Sequence, residues 1–255
     1  MNTETNKSPR ILMWDIETSF MLVKSFGLYN QNHSPRNIVQ DWYIICISYK
    51  FLDEQVHTFS VDFSKSITDD RQLCIDMRDV ILSADCLVHH NGNAFDLKKF
   101  NARLIFNGLE PMPPILCVDT LREARKIFKF SSNKLDYIGS HLGLGQKLET
   151  GGLGLWDGVM AGQPEALTLI KKYCEQDVIL LELVYKRLLG FMKGHPNLHS
   201  NGSLLVCPKC GSFHNRKINS RRTAAGLERQ QFQCQTCYGY FTFKTSEKGR
   251  SLTQN

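Results

Sequence analysis

Apolar and polar positions follow two rhythms along the first three quarters of the chain. Residues 11–16 open with the continuous apolar run Ile11-Leu12-Met13-Trp14. A short run of that kind reads as a strand buried on both faces. Residues 43–51 and 55–60 predict two further strands, joined as a hairpin around Asp53-Glu54. The rhythm then alternates. A helix is expected near residues 70–83, a strand at 86–90, a helix from Phe95 to about Asn107, and a short strand at 115–118. From Pro164 to Met192, Leu167, Ile170, Cys174, Val178, Leu181, Val184 and Leu188 recur at helical spacing, and Pro164 suits an early helical position. Three strands followed by alternating helix and strand predict an α/β fold, a mixed sheet flanked by helices.

Two stretches break the pattern. Residues 19–42 form a long connection, of a length that is either functional or disordered, and a substrate lid is one reading. Residues 139–158 contain seven glycines. They lack the Gly-Lys-Ser/Thr ending of a phosphate loop, so Gly143 and Gly145 read as turn or helix-end residues. Turn formers across residues 194–202 end the long helix and set a boundary. The expected division is residues 1–195 and residues 196–255. At 255 residues the chain holds one good core and a small module. No apolar run approaches a membrane span, and the polar first ten residues lack the apolar core of a secretion signal. The expectation is a cytoplasmic protein, bacterial or in an infected host, with no membrane partner.

Charge sharpens the division. Residues 1–195 carry 22 Lys and Arg against 23 Asp and Glu, whereas residues 196–255 carry 9 against 2. The net charge of +6 therefore comes from the tail. Arg216, Lys217, Arg221, Arg222 and Arg229 cluster there, near Phe213, Phe232, Tyr238 and Tyr240. Cations attract phosphates and aromatic rings stack on bases, which makes the basic residues candidate nucleic-acid contacts. The alternative is a solvated charged loop over core aromatics.

Nine cysteines divide in two groups. Cys46, Cys74, Cys86, Cys117 and Cys174 are scattered in apolar segments and read as buried thiols. Cys207-Pro-Lys-Cys210 and Cys234-Gln-Thr-Cys237 are paired knuckles, a zinc signal. A site of four cysteines is saturated, so one structural Zn²⁺ is expected. The 23 residues between Cys210 and Cys234 exceed the usual spacing, which a hairpin insertion would accommodate. Redox pairs lack a surrounding βαβ context, disulfides conflict with the five other thiols, and His214 reads as a surface residue. The segment, with Arg221-Arg222 and Phe232-Gln-Cys234-Gln-Thr-Cys237-Tyr-Gly-Tyr-Phe-Thr, resembles transposase-type zinc ribbons over about forty residues. The resemblance implies a small β-hairpin module that touches nucleic acid.

The remaining chemistry lies in carboxylates. Asp15 and Glu17 end the first strand two residues apart, and so share a face. Asp96 follows Asn91-Gly92-Asn93-Ala94-Phe95 at a helix start, where it would also serve as a cap. Tyr173 and Asp177 are one helical turn apart. Each piece alone has an ordinary surface or capping explanation. In order, Asp15-Ile-Glu17-Thr18, Asn91-Gly-x-x-Phe95-Asp96 and Tyr173-x-x-x-Asp177 resemble the three motifs of DEDD-superfamily exonucleases, the tyrosine marking the DEDDy branch. The wording is most similar to the exonuclease domains of family-B DNA polymerases and their stand-alone, phage-type relatives. It extends over roughly residues 10–190 and takes in Asn133-Lys134-Leu135-Asp136-Tyr137 and the Leu-Gly-Leu-Gly segment after it.

The resemblance implies an RNase H-like fold and 3′–5′ hydrolysis of DNA to nucleoside monophosphates with two Mg²⁺ or Mn²⁺ ions. Asp15 would bridge both ions, Glu17 and Asp177 would hold the one on the nucleophile side, and Asp96 would support the other, partly through water. Tyr173 would orient the attacking water, because a phenol of pKa about 10 is a poor base at neutral pH. Thr18, Asn91 and Phe95 would touch nucleic acid. The expected partner is single-stranded DNA or a DNA 3′ end, and, with no polymerase domain in the sequence, a separate polymerase or replication protein. A structure-selective endonuclease, an RNA exonuclease and a non-catalytic DNA-binding regulator are the alternatives.

Overall fold

The computed structural model describes residues 8–149, 151–199 and 205–244. The polar N-terminal stretch, residues 200–204 of the boundary region and the chain from Thr245 onward lie outside the described residues. The described chain groups into two compact units, one of Arg10–Tyr185 and one that takes the chain from Lys186 onward.

The first unit is built on a five-stranded sheet. Its strands are β1 (Ile11–Thr18), β4 (Ile44–Phe51), β5 (His57–Ser60), β6 (Cys86–His89) and β7 (Leu116–Asp119), in the spatial order β5-β4-β1-β6-β7. β4 runs antiparallel to both β1 and β5, while β6 runs parallel to β1 and β7. This is the expected mixed sheet. The helices are α1 (Arg71–Leu82), α2 (Asp96–Phe106), α3 (Thr120–Ile127), α4 (Leu135–His141), α5 (Gly154–Met160) and α6 (Pro164–Leu188).

Alternation along β1 sorts its side chains between two cores. Leu12, Trp14 and Ile16 pack with Leu73, Met77 and Ile81 of α1 and Phe100 and Leu104 of α2. Behind the opposite face, Ile45, Cys46 and Val61 pack with Leu155 and Val159 of α5 and Ile170 and Cys174 of α6. β1 is therefore apolar on both faces until its last residues, where Asp15 and Glu17 come out toward α6. Buried ion pairs fasten the frame: Arg103 Nε donates to Asp70 Oδ2 at 2.6 Å, and Lys50 pairs with Glu182.

Residues 19–42 are less irregular than their composition suggests. They carry a short antiparallel pair, β2 (Leu22–Val23) and β3 (Ile38–Gln40), with a single 3-10 turn at Pro35–Asn37. The long helix stops at Leu188, short of the expected end at Met192. Gly190 lies so close to Cys237 that an added Cβ would meet the Cys237 carbonyl oxygen at 2.1 Å, and Lys209 Nζ donates to the carbonyls of Leu189 and Gly190 at 3.1 and 2.9 Å. A lysine taking carbonyls freed at a helix end is a C-capping device.

The second unit contains a three-stranded antiparallel sheet of β8 (Asn215–Arg222), β9 (Glu228–Cys234) and β10 (Tyr240–Lys244), in the order β10-β9-β8. The β8–β9 hairpin is the insertion that spans Cys210 to Cys234. Phe232, Phe241 and Phe243 form its aromatic core, with Phe232 and Phe241 rings 5.8 Å apart.

Candidate active site and metal centres

Residues from the first strand and the last helix of the first unit meet at the end of β1. Ligand oxygens of Asp15, Glu17 and Asp177 all lie within 4.8 Å of one another. The sheet accounts for the first two, and helical phase accounts for the third. α6 crosses the end of β1 with Cys174 in contact with Asp15, its thiol donating to the Asp15 backbone carbonyl at 3.5 Å. Asp177, nearly one turn further, is thereby brought to the carboxylates.

Asp96 stands beside this trio and not within it. β6 pairs with β1 only over Ile11–Met13. The Ile16 N–H on that side is left without a strand partner, and with the Asp96 N–H it draws the Asp96 pKa down against burial. Asp96 is 3% exposed, so it is a buried carboxylate at the start of α2, where the helix's free N–H groups favour its ionised form.

The cluster resists its own charge. Burial lifts Asp15 well above the usual carboxylate range, and the charges of Asp96, Glu17 and Asp177 lift it further. Glu17 is pushed up to about 8, by burial and then by Asp177. Asp96 is pushed up to about 6, chiefly by burial, and Asp177 is raised for the same reason. A divalent cation inverts this situation by favouring every ionised form. One oxygen marks the need directly. Asp177 Oδ1 is buried and has no hydrogen-bond partner among the described residues. Oxygen-rich, acidic and under-satisfied, the donor set fits Mg²⁺ or Mn²⁺.

Lys147 is the residue that the motifs did not reveal. Its ammonium contacts Asp177 Oδ2 and lies 3.2 Å from the Tyr173 hydroxyl. Asp177 raises its pKa far above the ordinary lysine value, against the opposing effect of burial. Its backbone N–H donates to Asp136 Oδ1 at 3.0 Å, which ties the glycine-rich segment to α4. The available signal was its position: it follows the Leu-Gly-Leu-Gly run by two residues, and it is the only lysine or arginine in residues 139–158.

The sequence matches the RNase H superfamily over residues 39–189. That span is more than half of the chain. The chain belongs to the RNase H superfamily. The family B DNA polymerase of the hyperthermophilic archaeon Pyrobaculum calidifontis is similar in structure, with a TM-score of 0.56 at 18% identity. The similarity covers 72% of this chain and 25% of the polymerase, so the chain corresponds to a quarter of that protein. A search of curated protein sequences gave no match. The superfamily match begins after β1, so Asp15 and Glu17 enter the site through the pairing of β1 with β4, Asp15 opposite Ser48 and Glu17 opposite Cys46.

The other candidates of the superfamily domain surround this centre. Thr18 accepts a hydrogen bond from Lys99 Nζ at 2.9 Å, and Lys99 lies over the rings of Trp42 and Phe95. Asn91 has a positive φ of 71°, and its N–H donates to Asp119 Oδ1 at 3.0 Å. Gly92 is required beside it, since a Cβ there would meet the buried His89 ring at 2.4 Å. Asp119 and His89 are thus the supports of the Asn91-Gly92 turn that delivers Asp96, and no motif named them. Phe95 is exposed at the mouth of α2. Tyr173 is half-buried, and its ring stands edge-on to Trp156.

In the second unit the sulfurs of Cys207, Cys210, Cys234 and Cys237 also lie within 4.8 Å of one another. Cys207–Cys237 and Cys210–Cys234 are 3.6 and 3.5 Å apart. Four ligands at the Zn–S bond length around a tetrahedral ion would be separated by about 3.8 Å, so the set fits Zn²⁺. The Thr236 and Cys237 N–H groups point at Cys234 Sγ at 3.4 and 3.5 Å. Both knuckles turn by the same device: the residue after the second cysteine, Gly211 or Tyr238, has positive φ. Thiol hydrogen bonds from Cys210 and Cys237 hold the Cys207 pKa far below its usual value, while Cys237 is pushed up to about 11. His214 is exposed. Arg216, Lys217, Arg221 and Arg222 are exposed along β8, and Arg229 is half-buried on β9.

Proposed function

We propose that this chain is a two-metal-ion 3′–5′ exonuclease of the DEDDy type that acts on DNA, with a zinc ribbon over residues 196–255 that aids nucleic-acid binding. The observation that carries the reading is the meeting of Asp15, Glu17 and Asp177 around an unsatisfied buried oxygen, one helical turn beyond Tyr173. The motif resemblance to exonuclease domains of family-B polymerases supports it, and so does the fold shared with one such polymerase.

Bound at this centre, a pair of divalent ions would supply an activated water and neutralise charge on the departing 3′ oxygen. Asp15, Glu17 and Asp177 would hold them, with Asp96 alongside. The chain's own groups prepare the rest. Tyr173 offers a hydroxyl within reach of the same carboxylates, and its raised pKa, from burial and from Asp177, keeps it protonated as a donor. It orients and does not abstract a proton. Lys147 holds the Tyr173 hydroxyl and Asp177 in one network, and adds a positive charge where the phosphate's charge grows. Asp119 and His89 set the turn before Asp96.

The deciding experiment digests 3′- and 5′-labelled single strands of DNA and RNA side by side with Mg²⁺. Stepwise loss from the 3′ end of DNA is expected. Internal cuts would make the chain an endonuclease, preference for RNA would change the substrate, and binding without hydrolysis would make it a regulator.

A further inference from the structure

The basic residues of the β8–β9 hairpin form one cluster in the sequence, but the ladder separates them. Directly paired residues share a face. Arg216 pairs with Gln233, and Gln233 with Tyr240, so these three lie in one row. Lys217 pairs with Phe232, and Phe232 with Phe241, on the opposite face, where the aromatic core lies. In a regular strand, Arg216 and Arg221 are five positions apart and would face opposite ways. The register shift between Lys217 and Asn219 prevents this. Ile218 is the extra residue, and Asn219 then pairs with Gln231, on the face of Gln233. Arg221 and Arg229, paired directly with each other, fall on that face too.

The two faces therefore differ in charge. On the core side, Arg222 stands opposite Glu228, so that row is neutral. On the other side, Arg221 stands opposite Arg229 with no carboxylate in any paired row. Like charges directly across a ladder repel, and an anion between them removes the repulsion. Tyr240, 55% exposed, offers a ring at the far end of the Arg216 row.

We propose that this outer face, Arg216, Arg221, Arg229 and Tyr240, is where the module grips single-stranded nucleic acid. Phosphates lie on the arginines and a base stacks on Tyr240. Lys217 and Arg222 take little part. The inference rests on the nucleic-acid reading above and narrows it to one face.

The test uses the full chain, a labelled oligo-dT strand and a salt series, with Ca²⁺ in place of Mg²⁺ to prevent cleavage. Two charge-matched double variants are compared, Arg221→Gln/Arg229→Gln and Lys217→Gln/Arg222→Gln, each checked for bound zinc to show that the module is folded. The outer pair should flatten the log–log salt slope by about 1.4, at about 0.7 per lost contact, and the inner pair should leave it near the parent value. Tyr240→Leu should weaken binding about fivefold or more without altering the slope, since stacking releases no counterions. Equal flattening by both pairs would overturn the face assignment in favour of diffuse attraction. No change from either pair would overturn the grip and leave these arginines to a protein partner. Neither result touches the nuclease reading, which Asp15→Ala and cleavage of short strands decide.

Discussion

The carboxylate centre and the cysteine centre both have donor atoms that fit a metal ion, yet they are assembled in opposite ways. The cysteines span residues 207–237 and meet through two local turns of the same shape. Their geometry is a property of a short segment. The carboxylates come from residues 15–177, and meet only after a strand, a turn and a 25-residue helix have been packed. The first site should build the fold around it, and the second is built by a fold that exists already. A local metal site fails by unfolding, whereas a long-range one fails by losing function inside an intact frame.

The largest effect should come from breaking that rule on the carboxylate side. Asp15→Ala or Asp177→Ala should reduce cleavage about a thousandfold or more, since the ions supply several kcal/mol at about 1.4 kcal/mol per tenfold. Thermal unfolding of the first unit should stay cooperative, and zinc content should stay at one ion per chain. Substantial digestion by Asp15→Ala, in a sample free of contaminating nuclease, would remove the assignment. On the cysteine side, Cys207→Ser should release the zinc and unfold residues 205–244, because small metal modules fold with their ion. Elemental analysis and proteolysis would read both, and turnover of short oligonucleotides at saturating concentration should survive.

Subtler variants sharpen the contrast. Tyr173→Phe should lower single-turnover cleavage about ten- to a hundredfold while metal affinity is kept, because it removes orientation and not a ligand. An unchanged rate would make the tyrosine a packing residue. The smallest effect is on stability against pH. Glu17 has a folded pKa near 8 against an unfolded value of 4.5. A raised carboxylate contributes stability below the unfolded value and loses it as pH rises through the folded one. In EDTA the Tm of the first unit should therefore fall from pH 5 to pH 8.5, and Mg²⁺ should raise it more at pH 8.5 than at pH 5. A Tm that climbs with pH in EDTA would show that the carboxylates are not crowded.

Most of the strands and helices were legible because their periodicity is strong: β1, β4, α1 and α6 all follow runs that packing alone explains. The end of α6 was not, since it depends on Leu189 and Gly190 meeting Lys209 and Cys237, which lie far along the chain. The four cysteines were legible from spacing. Asp15, Glu17, Asp96 and Asp177 became legible only as an ordered set, each having an ordinary surface or capping role by itself. Lys147, His89 and Asp119 escaped because their importance is relational. A lysine in a glycine-rich stretch carries no sign of the carboxylate it will meet, and a buried histidine carries no sign of the turn it supports.

The extra residue in β8 has a consequence for how such proteins vary. Ile218 is uncharged, so its deletion leaves the formal charge at +6 and every arginine in place. It would also leave the destinations of Arg221 and Arg222 unchanged, because a strand one residue shorter needs no bulge and sets Arg216 and Arg221 four positions apart, on one face. The extra residue and the bulge cancel in parity, and what would exchange the two arginines is a change that keeps Ile218 but straightens the strand. Two homologues of different length here would hold the same ligand, whereas two of identical length and charge would differ if only one of them kept the bulge.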